Sequence, residues 1–77
     1  MNIEYSKHWI KKQQNKRKDI TNDMIEFAIE NSEILKDKYW KNTLNAISMI
    51  PHSGRTLKVV YKRKNQKVFI ITAYWLD

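Results

Sequence analysis

The stretch that decides the fold lies near the end of the chain, where residues 55–62 read RTLKVVYK and residues 68–75 read VFIITAYW. The first segment alternates in polarity with a period of two, which is typical of a half-buried β-strand. Its apolar side comprises Leu57, Val59 and Tyr61. The second segment is apolar at most positions, which predicts a strand covered on both faces. The polar residues 63–66 predict the hairpin loop that joins the two strands.

Three further strands and a turn are predicted upstream of this pair. Residues 43–50 read TLNAISMI and predict a strand that ends at residues 51–54, PHSG. This tetrapeptide contains the one proline and the one glycine of the chain, and both residue types favour turns. Residues 34–35 predict a short strand, and the alternation in residues 1–5 predicts another.

Two helices are predicted between the first strand and the others. Ser6 is a suitable N-cap, so the first helix should begin at Lys7, and the basic run 16–18 should lie in a loop beyond its end. Thr21 can cap the second helix, and Asp23 in its first turn suits the positive end of the helix dipole. The apolar stripe of the second helix has helical spacing and comprises Met24, Ile25, Ala28 and Ile29.

These elements predict an α+β fold in which two N-terminal helices pack on a small antiparallel sheet of three to five strands. With 77 residues, we expect one domain that covers residues 1–77. The chain has no cysteine, which excludes disulfides and thiolate chemistry. The longest apolar run, residues 68–71, is far shorter than the ~20 residues that a membrane-spanning helix needs. Because no apolar segment follows Met1, we expect a cytoplasmic protein without a membrane partner.

Charge is distributed unevenly along the chain, which has 15 Lys and Arg against 8 Asp and Glu. Residues 1–18 carry a net charge of +5, residues 19–35 carry −5, and residues 36–77 carry +7. A basic surface opposite an acidic helix would attract a polyanion such as RNA, because lysine and arginine neutralise phosphates. The same net charge would also serve solubility alone, or would attract an acidic protein.

The chemistry that these residue types support is narrow. His8 and His52 lie far apart in the sequence, so we expect no metal site, and a single glycine excludes a glycine-rich phosphate loop. We therefore expect no cofactor. Cleavage of RNA without a metal remains possible, because it needs a proton acceptor, a proton donor and cations near the phosphate. The candidate basic groove at the hairpin comprises Arg55, Lys58, Lys62, Thr72 and Tyr74.

Each candidate also has a purely structural interpretation. His8 in the first turn of a helix can be a solvent-exposed or capping residue. Arg55 can pair with an acid of a helix, and Tyr61 and Tyr74 can pack in the core with solvated hydroxyl groups. The lysines of the first helix, Lys12 among them, can simply form a solvated face.

Four short segments resemble one protein family. They are IEYSKH at residues 3–8, DIT at 19–21, GRTLKVVY at 54–61 and IITAY at 70–74. Together they resemble the DUF4258 family, which is similar to the BrnT and RelE/ParE-like toxins of type II toxin–antitoxin systems. The resemblance implies a RelE-like fold and a ribonuclease that arrests translation and is blocked by a cognate antitoxin.

The resemblance also implies roles for individual residues. His8, Arg55, Thr72 and Tyr74 match positions of the family, and Arg55 would stabilise the phosphate while Tyr74 would correspond to the C-terminal aromatic residue of RelE-like sites. On this basis we expect a metal-independent endoribonuclease that acts on mRNA, free or on the ribosome. His8, Arg55 and Tyr74 would be catalytic. Together with the basic residues of the groove and of the first helix, this predicts RNA binding by Lys12, Lys58, Lys62 and Thr72.

Two alternatives from other functional classes remain open. The protein could be a non-catalytic module that binds nucleic acid through the same basic face, or an interaction subunit that docks an acidic protein such as an antitoxin. All three hypotheses require basic side chains from both ends of the chain to meet on one concave surface. The acidic helix should then lie on the opposite side of the molecule.

Overall fold

Five β-strands and two α-helices are formed by residues 2–31, 33–36 and 43–77, which are the residues that the computed structural model describes. The strands are β1 (Asn2–Tyr5), β2 (Glu33–Lys36), β3 (Leu44–Ile50), β4 (Arg55–Lys64) and β5 (Lys67–Trp75). The helices are α1 (Lys7–Asn15) and α2 (Asn22–Asn31). Met1, with which the first strand was expected to begin, lies outside the described residues. Neither of these helices is long and apolar enough to cross a membrane.

The strands form one sheet in the order β1-β5-β4-β3-β2. The α+β class, the N-terminal position of the helices and the mostly antiparallel sheet are confirmed. One pair departs from the prediction of an antiparallel sheet, because β1 runs parallel to β5. The chain between these two strands contains both helices and three strands, and a long crossover of this kind is what a parallel pair requires.

The helix starts agree with their predicted caps. The Ser6 side chain accepts a hydrogen bond of 3.0 Å from the backbone N–H of Trp9, and α1 begins at Lys7, directly after Ser6. The Thr21 hydroxyl accepts one of 3.2 Å from the backbone N–H of Met24 at the start of α2. Each cap satisfies a backbone donor that has no partner within its helix. These contacts are local, which explains why the sequence was sufficient to predict them.

Both helices pack against one face of the sheet, which we call the helix face. Ile25, Ala28 and Ile29 of α2 are buried there, as the predicted stripe requires. The three predicted apolar residues of β4 are fully buried on the same face, together with Trp9 of α1 and Ile20 of the connection between the helices. Burial of each large apolar side chain contributes about 1.5–3 kcal/mol, so this face supplies the core.

Tyr61 departs from the expectation of a solvated hydroxyl. Its side chain has no exposed surface, and its hydroxyl has no hydrogen-bond partner among the described residues. Burial raises the pKa of this phenol, and the nearby charge of Arg63 opposes that rise. The described part of the core therefore holds a polar group without a hydrogen-bond partner, which costs stability.

Two predictions about the C-terminal hairpin are wrong in detail. The connection is residues 65–66 rather than 63–66, because strand pairing continues to Lys64 opposite Lys67 and Asn65 turns the chain at a φ of 58°. In addition, β5 is not covered on both faces, because Phe69 is 38% exposed.

The second face of the sheet, which we call the outer face, carries the side chains that alternate with the core residues. On β4 these include Lys58, Val60 and Lys62, whose register partners on β5 are Tyr74, Thr72 and Phe69. The register shifts between Val60 and Tyr61, so that Ile71 forms a bulge in β5. The outer face is therefore where the predicted basic groove has to be sought.

Candidate nucleic-acid interface

Tyr74 lies between two cations on the outer face. Its register partner on β4 is Lys58, whose Nζ atom is 5.6 Å from the centroid of the tyrosine ring. The guanidinium carbon of Arg17 is 5.8 Å from the same centroid. Both distances are within the ~6 Å over which a cation is attracted to an aromatic ring. We call Arg17, Lys58, Thr72 and Tyr74 the Tyr74 cluster.

Arg17 reaches this cluster because the connection between the helices is fixed on both sides. The backbone N–H of Arg17 donates to the carbonyl of Lys12 over 3.1 Å, which closes the last turn of α1. Three residues later, Ile20 is fully buried, and the side chain of Gln13 donates to its carbonyl over 2.7 Å. The basic run 16–18 thus lies beyond the helix, as predicted, but one of its members has a defined position.

The side chain of Arg17 is bound to the edge of β5. Its Nη1 atom donates to the hydroxyl of Thr72 over 3.2 Å and to the carbonyl of Ala73 over 3.1 Å. This part of the edge is accessible because β1 ends at Tyr5, opposite Ile70, and does not pair with the last residues of β5. Arg17 therefore ties the connection between the helices to the strand that carries Tyr74.

The charges of Arg17 and Lys58 are not neutralised by an ion pair within the described part of the chain. Its two ion pairs join Arg55 to Asp19 and Lys67 to Glu4. The acidic helix α2 contacts β3 and β4 from the helix face. Burial and the negative charges of Glu26 and Asp23 raise the pKa of Tyr5, which packs against the core on that face. The predicted separation of basic and acidic surfaces is therefore observed around Tyr74.

The next residue along β5, Trp75, lies on the helix face and has a different electrostatic environment. The guanidinium carbon of Arg55 is 4.3 Å from the Trp75 ring centroid, and its Nη1 atom is 3.3 Å from a carboxylate oxygen of Asp19. The same oxygen accepts a 2.9 Å hydrogen bond from the indole N–H of Trp75. The carboxylate of Asp77 accepts one from the backbone N–H of Thr56. We call Asp19, Arg55, Trp75 and Asp77 the Trp75 cluster.

The position of Arg55 is determined by the predicted turn. Gly54 has a φ of +69°, in the region that favours glycine, and the Ser53 hydroxyl accepts a 3.0 Å hydrogen bond from the backbone N–H of Arg55. The turn directs Arg55 toward Asp19 and Trp75 at the start of β4. This agrees with the structural interpretation of Arg55, although its acidic partner lies just before α2 rather than within it.

The predicted site residues are brought together only in part. Lys58, Thr72 and Tyr74 belong to one cluster, and Lys62 lies further along the outer face of β4. His8 is exposed in the first turn of α1, and its side chain makes no hydrogen bond or ion pair with the described residues. Lys12 is half-buried in the last turn of α1, where a positive charge favours the helix dipole.

Two depressions in the described surface lie away from Tyr74. One depression lies at the junction of α1 and α2 and another lies beside the β4–β5 hairpin, and neither includes Tyr74. The Tyr74 cluster is a feature of the sheet surface. An aromatic ring presented on a sheet between cations suits an extended ligand with anionic and planar groups better than a compact small molecule.

Arg17 is the functional candidate that the sequence analysis missed. Its partners Thr72 and Ala73 lie 55 and 56 positions further along the chain, so no local pattern distinguishes it from the neighbouring lysines. In the described part of the chain, no group of three or more histidine and acidic side chains is arranged to hold a metal ion.

Comparison with known proteins identifies a family. The model of a family described as a domain of unknown function, DUF4258, matches residues 5–75. The match spans every strand and helix from the end of β1 to the end of β5. No curated protein and no solved structure matches the chain.

Proposed function

This chain belongs to the DUF4258 family, whose description names no activity, and from that premise we propose a function on the basis of its own residues. The protein is a toxin-like endoribonuclease that binds RNA at the Tyr74 cluster and cleaves it without a metal ion. The observation that carries this proposal is the position of the Tyr74 ring between Arg17 and Lys58, two cations without a carboxylate partner among the described residues.

The cluster supplies the two kinds of contact that RNA binding requires. A guanidinium and an ammonium group neutralise phosphate oxygens, and the planar fork of Arg17 can contact two of them at once. The tyrosine ring provides a surface on which an unpaired base can stack. Thr72 adds a hydroxyl group next to Arg17. An RNA strand bound here would have a phosphate between the cations and a base near the ring.

The same groups suit cleavage of the RNA backbone by a reaction in which the 2′ hydroxyl of the bound RNA attacks the adjacent phosphate. The 2′ oxygen forms a bond to phosphorus and the bond from phosphorus to the 5′ oxygen breaks, which yields a 2′,3′-cyclic phosphate and a free 5′ hydroxyl. Water accepts the proton of the 2′ hydroxyl, and the Tyr74 hydroxyl donates a proton to the departing oxygen and regains one from solvent. Arg17 and Lys58 stabilise the negative charge that develops on the phosphorane.

The partners follow from this proposal. The substrate is mRNA, free or on the ribosome, and the net charge of +7 favours an acidic antitoxin that would cover the basic outer face. Arg55 contributes to the structure through Asp19 rather than binding the phosphate, and His8 is not required for proton transfer.

A second function, a non-catalytic RNA-binding module, is favoured by one specific observation. His8 makes no polar contact with the Tyr74 cluster, so one of the two residues expected to move protons is separate from the other. Binding would then involve the same residues without turnover.

Incubation of the purified protein with single-stranded RNA in EDTA, with and without ribosomes, tests the proposal. We expect cleavage to products that end in a cyclic phosphate. Tyr74→Phe keeps the ring and removes the hydroxyl, so it should lower the rate about 100-fold or more while RNA binding persists. The control variant Ile10→Ala changes an exposed apolar residue of α1 and should cleave at the wild-type rate.

Three outcomes distinguish the candidates. Cleavage in EDTA that depends on the Tyr74 hydroxyl supports the endoribonuclease. Binding without cleavage in either condition overturns it and leaves the RNA-binding module. If the wild-type protein neither binds nor cleaves RNA, both functions are wrong.

A further inference from the structure

A second aromatic residue and a second cation form a pair on the outer face that repeats the register pairing of Tyr74 with Lys58. Phe69 of β5 is the direct register partner of Lys62 of β4. The pair formed by Val60 and Thr72 lies between the two. Phe69 is 38% exposed and Lys62 is exposed, so a ligand on the outer face can reach both side chains.

The bulge at Ile71 is what places the two aromatic rings on one face. Phe69 and Tyr74 are five positions apart, and in a regular strand residues at an odd separation point to opposite faces. The register shift adds one residue to β5, so that Phe69 and Tyr74 pair with Lys62 and Lys58, which are four positions apart on the regular strand β4. The bulge in β5 therefore places the rings of Phe69 and Tyr74 on the same face of the sheet, in line along the strand.

We propose that Phe69 and Lys62 form a second nucleotide-binding subsite in line with the Tyr74 cluster, and that the ligand is single-stranded RNA. This inference rests on the proposed function, because it extends the same RNA-binding surface. The rise of about 3.3 Å per residue along β4 separates the two pairs by about 13 Å. Neighbouring stacked bases are only about 3.4 Å apart, so two adjacent stacked bases cannot occupy both rings. The surface therefore selects an extended, unstacked strand over a duplex.

The charges near Phe69 favour a phosphate at this subsite. Lys62 and Lys64 both alternate onto the outer face of β4, and neither has an ion pair in the described part of the chain. The register partner of Phe69 on β1 is the acidic residue Glu4. Its carboxylate is 3.1 Å from the Nζ atom of Lys67, so that charge is already balanced.

Binding of oligouridylates of two lengths tests the second subsite. A dinucleotide can occupy the Tyr74 cluster alone, whereas an octanucleotide can extend along β4 to Phe69. We expect Phe69→Ala to weaken binding of the octanucleotide about 5- to 150-fold, the range that corresponds to the loss of one stacked base. Binding of the dinucleotide should not change. Lys62→Ala should lower the slope of log K against log salt for the octanucleotide by about 0.7.

Ile10→Ala is the matched control, because Ile10 is 43% exposed but lies on α1 rather than on the outer face. It should bind both oligonucleotides as the wild type does. If Phe69→Ala binds the octanucleotide with wild-type affinity, the second subsite is wrong and the proposed function at Tyr74 stands. If a duplex of the same length binds as tightly as the single strand, the selection of an extended strand is wrong. If the wild type binds neither oligonucleotide, the proposed function fails together with this inference.

Discussion

Tyr74 and Trp75 are neighbours on β5, and each has an arginine next to its ring, yet the two sites differ in charge. The Trp75 cluster includes the carboxylate of Asp19, which binds both Arg55 and the indole N–H of Trp75. The Tyr74 cluster has two cations, Arg17 and Lys58, and no ion pair with the described residues. Proximity of a cation to an aromatic ring therefore does not identify a binding site. The presence or absence of a carboxylate distinguishes a structural cluster from one that can bind an anion.

The two faces of the sheet extend this contrast. On the helix face the side chains are buried, and the one arginine near Trp75 is paired. On the outer face Lys58 and Lys62 of β4 pair with the partly exposed rings of Tyr74 and Phe69 on β5. We therefore expect substitutions on the helix face to change mainly stability, and substitutions on the outer face to change mainly RNA binding.

The largest expected effect is on stability, for a substitution on the helix face. Trp9→Ala removes a fully buried side chain from a small core, and such substitutions cost about 3–5 kcal/mol. Phe69→Ala removes a partly exposed ring from the outer face and should cost about 1 kcal/mol. Urea unfolding of the two variants measures both values. Equal losses would contradict the division between the faces.

The next effect separates the two arginines. Arg17→Ala removes a hydrogen-bonding cation from the Tyr74 cluster and should weaken RNA binding about tenfold or more, because a hydrogen bond to a charged group contributes about 1.5–3 kcal/mol. Arg55→Ala should leave RNA affinity within about threefold of wild type, since its charge is already paired and such a loss corresponds to under about 1 kcal/mol. Fluorescence anisotropy with a labelled octanucleotide measures both affinities.

Arg17→Lys provides the control for charge alone. Lysine keeps the positive charge but lacks the planar fork, so its affinity should lie between those of the wild type and Arg17→Ala. A loss of binding in Arg55→Ala as large as that in Arg17→Ala would restore Arg55 as the phosphate-binding residue that the family resemblance implied.

These two arginines also show what the sequence could and could not predict. The caps at Ser6 and Thr21 and the alternation in β4 involve residues a few positions apart, so a local pattern was sufficient to predict them. Asp19 reaches Arg55 across 36 positions, and Arg17 reaches Thr72 across 55. Which cation meets a carboxylate depends on how the helices dock on the sheet, and charge counts along the chain do not contain that information.

The bulge at Ile71 limited the prediction of the site in the same way. A period of two places Phe69 and Tyr74 on opposite faces, and no proline or glycine marks β5 as irregular. The sequence therefore grouped Tyr74, Thr72, Lys58 and Lys62 with Arg55 as one basic groove, but it gave no reason to separate Arg55 or to add Phe69. The parallel pairing of β1 with β5 was missed because strand direction across a long crossover has no local signal.

Two tyrosines, one on each face, give the next prediction. Tyr61→Phe removes a buried hydroxyl that has no partner among the described residues, so we expect the free energy of unfolding to rise by about 1 kcal/mol at pH 7. Tyr74→Phe on the outer face should leave it unchanged. Urea unfolding at pH 7 measures both, and a loss of stability in Tyr61→Phe would indicate that the hydroxyl has a favourable role.

The difference between wild type and Tyr61→Phe should grow at alkaline pH. Burial raises the folded-state pKa of Tyr61 above its ordinary value of 10.0, so the folded protein holds this proton more tightly than the unfolded chain. This contribution to stability is complete below pH 10 and is lost as the pH rises through the raised pKa. Tyr5, whose pKa is raised by burial and by Glu26 and Asp23, should cause part of the alkaline loss in both proteins.

The smallest effect is expected for a substitution that makes the charges of the Trp75 cluster resemble those of the Tyr74 cluster. Asp19→Asn removes the carboxylate from Arg55 while an amide oxygen can still accept the hydrogen bond from Trp75. The exposed ion pair contributes about 0.2–1 kcal/mol, so stability should fall only slightly. Arg55 would then be a cation stacked on a ring without a side-chain ion pair, as Arg17 is beside Tyr74, while its Nη2 atom would keep its 3.5 Å contact with the backbone oxygen of Asp77. We expect the slope of log K against log salt for RNA binding to steepen by up to about 0.7, the value for one additional phosphate contact.

Asp23→Asn is the matched control for this change, because it removes the same charge from the first turn of α2 without altering either cluster. It should leave the salt slope as in the wild type. If the two variants steepen the slope equally, the response reflects net charge alone, and the carboxylate beside Arg55 does not decide which cation binds RNA. If only Asp19→Asn steepens it, local pairing decides, because the two variants have the same net charge and differ only in where the carboxylate was removed.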